Sequence, residues 1–145
     1  MPRLYREAPL NSIWEGSGNV TALDVLRALA RRQDCAGALL AELDLATGSD
    51  PRLDAALAGL RQLLNGLETA TSPEAQRGAR RLAGLIAVTM QAALLVRHDS
   101  GPVVDAFCAS RLGSAAGGPG TPFGTLPDGL EVATIVERAR VRAQG

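Results

Sequence analysis

Leu53, Leu57, Leu60, Leu64 and Leu67 recur at intervals of four, three, four and three residues. A helix of about 3.6 residues per turn brings them onto one face and leaves Arg52, Asp54 and Arg61 for water. A stripe of that kind must bury itself against another element, and the rest of the chain offers helices for the purpose. Only 3% of the residues are aromatic, while Ala, Leu and Arg dominate. This mixture fills helices readily and is poor in the β-branched and ring-bearing side chains that strands prefer. With 145 residues, 46% of them apolar, the chain is expected to form one helical domain over 1–145. The expected fold is all-α, a bundle of about five or six helices with an extended amino-terminal turn segment.

Local signals divide that domain. Over 1–18, Pro2, Pro9, Gly16 and Gly18 interrupt any regular pattern, which reads as an extended lead into a tight turn. Asn19 is placed to cap a helix to about Arg32, with Val20, Leu23, Leu26 and Ala30 inward. A shorter helix is expected from Asp34 to Ala46 with Leu39, Leu40 and Leu43 inward, ending before Gly48 and Pro51, and the leucine-striped helix follows. Ser72-Pro73-Glu74 sets a capping hydroxyl and a proline at the start of a long run to about His98. That run carries Leu82, Leu85, Ile86, Met90, Ala93, Leu94 and Val96 over much of its circumference, so it is the expected central helix. Ser100-Gly101-Pro102 starts another helix, striped by Val103, Val104, Phe107, Cys108 and Leu112. The segment 113–129 holds six glycines and three prolines and is expected to be a long loop. A final helix over 130–142 is expected to bury Leu130, Ala133 and Val136 or Ile135.

Fifteen acidic residues balance fifteen basic ones, every one an arginine. The net charge of zero provides no long-range attraction for a phosphate backbone, so nucleic-acid binding is expected to be weak. Cys35 and Cys108 sit among apolar neighbours without zinc-ligand spacing, and His98 is the sole histidine. No metal site is expected, and His98 reads as a cation at a helix end. The sequence has no basic segment followed by an apolar run at its start and no uninterrupted apolar stretch of spanning length, so a cytoplasmic, membrane-free protein is the expectation.

One carboxylate stands apart. Glu15 follows Trp14, precedes Gly16 and lies at a turn leading into a helix. Against an aromatic wall, desolvation raises a carboxylate's proton affinity toward that of a general base working near neutral pH. Gly16 and Gly18 allow backbone N–H groups to approach a phosphate at the positive helix end. The same residues equally suit a plain turn in which Glu15 interacts with that helix end.

The stretch Tyr5-Arg6-Glu7-Ala8-Pro9-Leu10-Asn11-Ser12-Ile13-Trp14-Glu15-Gly16-Ser17-Gly18-Asn19-Val20, continuing through Leu23-Asp24-Val25-Leu26-Arg27, resembles the carboxyl-terminal domain of acyl-CoA dehydrogenases. It looks like the AidB-like branch, linked to the adaptive response to alkylation damage. Trp14-Glu15-Gly16-Ser17 is similar to the aromatic-Glu-Gly-Thr turn that supplies the base in most of that superfamily. Asp105-Ala106-Phe107-Cys108-Ala109-Ser110-Arg111-Leu112 and Phe123-Gly124-Thr125-Leu126-Pro127 look like that branch's helical extension. The resemblance implies a carboxyl-terminal fragment or isolated domain of an FAD-dependent oxidoreductase acting on CH–CH bonds. Glu15 would remove the α-proton of an acyl-CoA thioester as hydride leaves for the flavin, and Trp14, Gly16, Ser17, Gly18 and Asn19 would line the cofactor and substrate site. Family members place a helical and a β-domain ahead of this point. The chain is therefore expected to be inactive alone and to join such domains or form a homo-oligomer. The alternative is an AidB-like module that contacts nucleic acid or protein.

Overall fold

Proline opens four of the helices, at Pro2, Pro51, Pro73 and Pro102. At the first helical position its fixed φ suits the helix and its missing N–H removes a donor that would otherwise lack a partner. The computed structural model describes residues 2–12, 18–31, 33–65, 72–112 and 126–140. In chain order these form α1 (Pro2–Glu7), a 3₁₀ turn (Ala8–Ser12), α2 (Gly18–Arg31), α3 (Gln33–Asp44), α4 (Pro51–Asn65), α5 (Pro73–His98), α6 (Pro102–Arg111) and α7 (Val132–Ala139). Among the described residues there is no strand. The all-α class therefore stands as expected.

The amino-terminal lead differs from expectation, since residues 2–12 are helical instead of extended. Pro2 starts the helix without breaking it, and Arg3 Nε donates to Glu7 Oε1 at 2.8 Å across one turn. Pro9 falls in a 3₁₀ turn, a short form that ends before an interior proline would clash. The loop expected over 113–129 lies outside the described residues up to 125. The last helix is shorter than its pattern, and its Ala133 and Val136 are exposed.

α5 is the hub, packing against α2, α4, α6 and α3. Ser72 caps it as its sequence suggests, its Oγ accepting from the Ala75 N–H at 3.1 Å. The buried face combines Leu82 with the small side chains of Ala79, Thr89, Ala92 and Ala93, and short side chains let neighbouring helices approach closely. Leu94, expected inward, is exposed, as is Val20 on α2. The core is completed by Ala22 and Leu26 of α2, Leu43 of α3, Ala46, the α4 leucines 53, 57 and 60, and Cys108 of α6. α5 is also long and apolar enough by length and composition to cross a membrane, with an 18-residue stretch of mean hydropathy 1.4. Thr89 and Gln91 interrupt its apolar run, and its contacts on several helices are those of a core helix.

Two buried positions on this hub and its partner have opposite consequences. Leu60 is fully buried, so Leu60→Ala removes apolar contact and leaves a cavity, at a cost of about 2–5 kcal/mol in urea unfolding. Thr89 is equally buried, and its Oγ1 lacks a hydrogen-bond partner. Thr89→Val replaces that hydroxyl with a methyl of similar shape and should stabilise the same unfolding transition by relieving part of a penalty of about 1–3 kcal/mol.

Candidate functional site

Trp14, Glu15, Gly16 and Ser17, the proposed base and most of its surrounding turn, lie outside the described residues. Gly18 and Asn19 are described, and they form the start of α2. Asn19, expected to cap that helix, stands inside its first turn, and its side chain is used elsewhere. Arg80, from the third turn of α5, donates from Nη1 to Asn19 Oδ1 at 3.0 Å. The same guanidinium lies against Gly18, where a Cβ would stand 3.1 Å from Nη1. A hollow of about 520 Å³ opens beside this contact, lined by Asn19, Ala22, Leu23, Gln76, Arg77 and Arg80 among others. Among the described residues, no carboxylate lines it. With Oδ1 committed to Arg80, Asn19 still offers its amide N–H₂ group. The link from Arg80 to Asn19 is not visible in the sequence. Sixty-one positions separate the two, so no local pattern carries that link.

A second polar cluster sits at the start of α4. Asp50 is nearly buried, and its Oδ1 accepts from the Arg52 backbone N–H at 2.8 Å and from Arg52 Nε at 3.0 Å. Arg52 Nη2 bridges Asp50 Oδ2 at 2.6 Å and Asp105 Oδ1 of α6 at 2.8 Å. Hydrogen bonding from the Arg52 side chain holds the Asp50 carboxyl below its usual range, against an opposing push from burial. Cys108 lies nearby, and burial, reinforced by the Asp50 charge, pushes its thiol up to about 11. It is therefore a neutral core group and a poor nucleophile. Cys35 is half-buried, and His98 is the exposed last residue of α5. Among the described residues, no three metal-binding side chains come together.

Several of the arginines are matched by acid. Arg27 pairs with Asp24, Arg77 with Glu74, Arg138 with Asp99 and Arg140 with Glu137. Arg138 also holds the Asp99 carboxyl below its ordinary value by hydrogen bonding.

In sequence, the chain is 34% identical over 117 residues to AidB of Escherichia coli (strain K12), by its name an acyl-CoA dehydrogenase. The match takes in 81% of this chain and spans 20% of the length of that relative. No family model and no solved structure matches the chain.

The Asp50 cluster has a pH signature. Its folded carboxyl titrates below the unfolded value of 3.8, so its contribution to stability is complete above that value and lost as pH falls through the lower folded one. Asp50→Asn should flatten the acid limb of a stability-against-pH curve below 3.8 while lowering stability near neutrality. An acid limb identical to the parent's would show that Asp50 does not carry it.

Proposed function

From its membership of the AidB-like branch of the acyl-CoA dehydrogenases, we propose that this chain is the carboxyl-terminal part of a flavin-dependent oxidoreductase acting on CH–CH bonds. It contributes one wall of the active-site cleft and does not turn over substrate alone. The reading is carried by the Trp14-Glu15-Gly16-Ser17 sequence immediately before a helix whose first turn borders a donor-rich hollow.

Glu15 takes the α-proton of an acyl-CoA thioester onto its carboxylate, a role that a partly desolvated carboxylate beside an indole can fill. FAD, when bound, supplies the hydride acceptor. Ser17 offers a hydroxyl donor, Gly16 and Gly18 allow close approach to backbone N–H groups, and Trp14 supplies an indole next to the carboxylate in sequence. Asn19 donates its amide N–H₂ toward the phosphate side. The opposing wall comes from the domains that precede this region in the family, or from a second copy of the chain.

The nucleic-acid reading has weaker support, because the arginines at 27, 77, 138 and 140 are paired with acids and the net charge is zero.

The test is an absorbance and fluorescence titration of the purified chain with FAD, alone and joined to the preceding domains of an AidB-like relative. Flavin retention and reduction by acyl-CoA should occur in the joined protein and be absent from the chain alone, and in joined Glu15→Gln reduction alone should be lost while flavin stays bound. Tight, steeply salt-dependent binding of short duplex DNA by the chain alone, without flavin retention in the joined form, would favour the other reading.

A further inference from the structure

We propose that the groove between α4 and α5, floored by Leu63 and Leu85 and edged by Gly59, Gln62 and Arg81, binds a small aliphatic monocarboxylate. The groove has a volume of about 390 Å³. That is the small end of the range of about 300–1,000 Å³ typical of ligand clefts. Its lining comes from one face of each helix, since 59, 62 and 63 on α4, and 81 and 85 on α5, lie three or four residues apart.

Three features of the lining select the ligand. The first is charge. Arg81 is exposed and makes no ion pair or hydrogen bond among the described residues, whereas its neighbours Arg77 and Arg80 are engaged with Glu74 and Asn19. Among the described residues no carboxylate lines the groove, so a carboxylate from outside is the complement that this guanidinium lacks. The planar fork of arginine can take both oxygens of such a group, and the Gln62 amide N–H₂ offers a further donor from the other helix. The second feature is the floor. Leu63 and Leu85 are half-buried and packed against the core, so they are held in place while leaving apolar surface open to an alkyl chain. The third is the space at Gly59. Glycine weakens a helix interior relative to alanine, yet Gly59 has no positive φ, and nothing beyond its own stretch of helix lies within 4 Å of where a Cβ would stand. The packing of α4 does not require it, and its missing side chain leaves room over the groove. The proposal stands apart from the dehydrogenase reading and uses none of its residues.

The probe is sodium octanoate, titrated at constant ionic strength into the isotope-labelled full chain while backbone amide shifts are followed by NMR. Saturable shifts should concentrate at Gly59, Leu63 and Leu85, with a Kd on the order of 1 mM, the strength that a ligand of about ten heavy atoms reaches in an open site. Acetate carries the charge without the chain, and octylammonium carries the chain with the opposite charge. Each should bind at least about ten-fold more weakly. Arg81→Gln should weaken octanoate by about five- to ten-fold, the loss of one charge-assisted contact at an exposed site, and Arg81→Lys should fall between that variant and the parent. Gly59→Leu should fill the groove and abolish the shifts at Leu63 and Leu85. Far-UV helicity should match or exceed the parent's in all three variants, which separates lost binding from lost fold. An absence of saturable shifts at the three positions overturns the assignment. Equal binding of octylammonium, or an octanoate affinity that Arg81→Gln leaves unchanged, overturns it as well.

Discussion

The close approach of α2 to α5 is the contact on which the remaining geometry depends. It is made possible by small side chains. Ala22 on α2 and Ala79 on α5 are both buried, and further along α5 the residues Thr89, Ala92 and Ala93 are buried as well. Close-packed interiors tolerate little added volume, so a larger residue at Ala79 would push the helices apart. The movement would reach the helix start at Gly18 and Asn19, because Arg80 sits one residue from Ala79 and touches both. Packing and site are thus joined through neighbouring positions on one helix.

Charge serves the same architecture. Arg97 of α5 reaches Glu42 of α3, Arg61 of α4 reaches Asp44 of α3, and Arg52 ties α4 to α6 through Asp105. Exposed pairs contribute little individually, typically about 0–1 kcal/mol, and their value here is to fix which helix faces which. Asp50 is different because it is nearly buried and also holds the backbone N–H of Arg52 at the opening of α4. Two glycines complete the connections. Gly48 and Gly101 adopt φ of 82° and 95°, the left-handed region where a Cβ is strained, and they stand just ahead of α4 and α6.

The helices were legible wherever one physical rule dominated. The leucines at 53, 57 and 60 are buried as their spacing requires, and Ser72-Pro73 starts α5 where a capping hydroxyl and a fixed φ suggest. Hydrophobicity misled where size mattered more. Leu94 and Val20 face water, while Ala22, Ala79, Ala106 and Ser110 are buried, because interhelical space at those positions admits only small groups. Ser110 becomes tolerable there by donating its hydroxyl to the Ala106 carbonyl at 2.7 Å. Of the candidate site, Gly18 and Asn19 could be named from sequence, but Asn19's partner could not. A hydrogen bond across 61 positions follows from the tertiary fold, and no local periodicity encodes it.

The position of Arg80 has a consequence for how such a domain can be divided. A helix start satisfied only by its own neighbours would remain set if later helices were removed. Here the side chain of Asn19 is held from α5, and α5 is itself held by α3, α4 and α6. The start of α2 therefore depends on segments running to at least Arg111, and residues from 18 to 111 act as one mechanical unit. Substitutions far along the chain, at Leu60 or Cys108, can reach the start of α2 by loosening α5 without touching it.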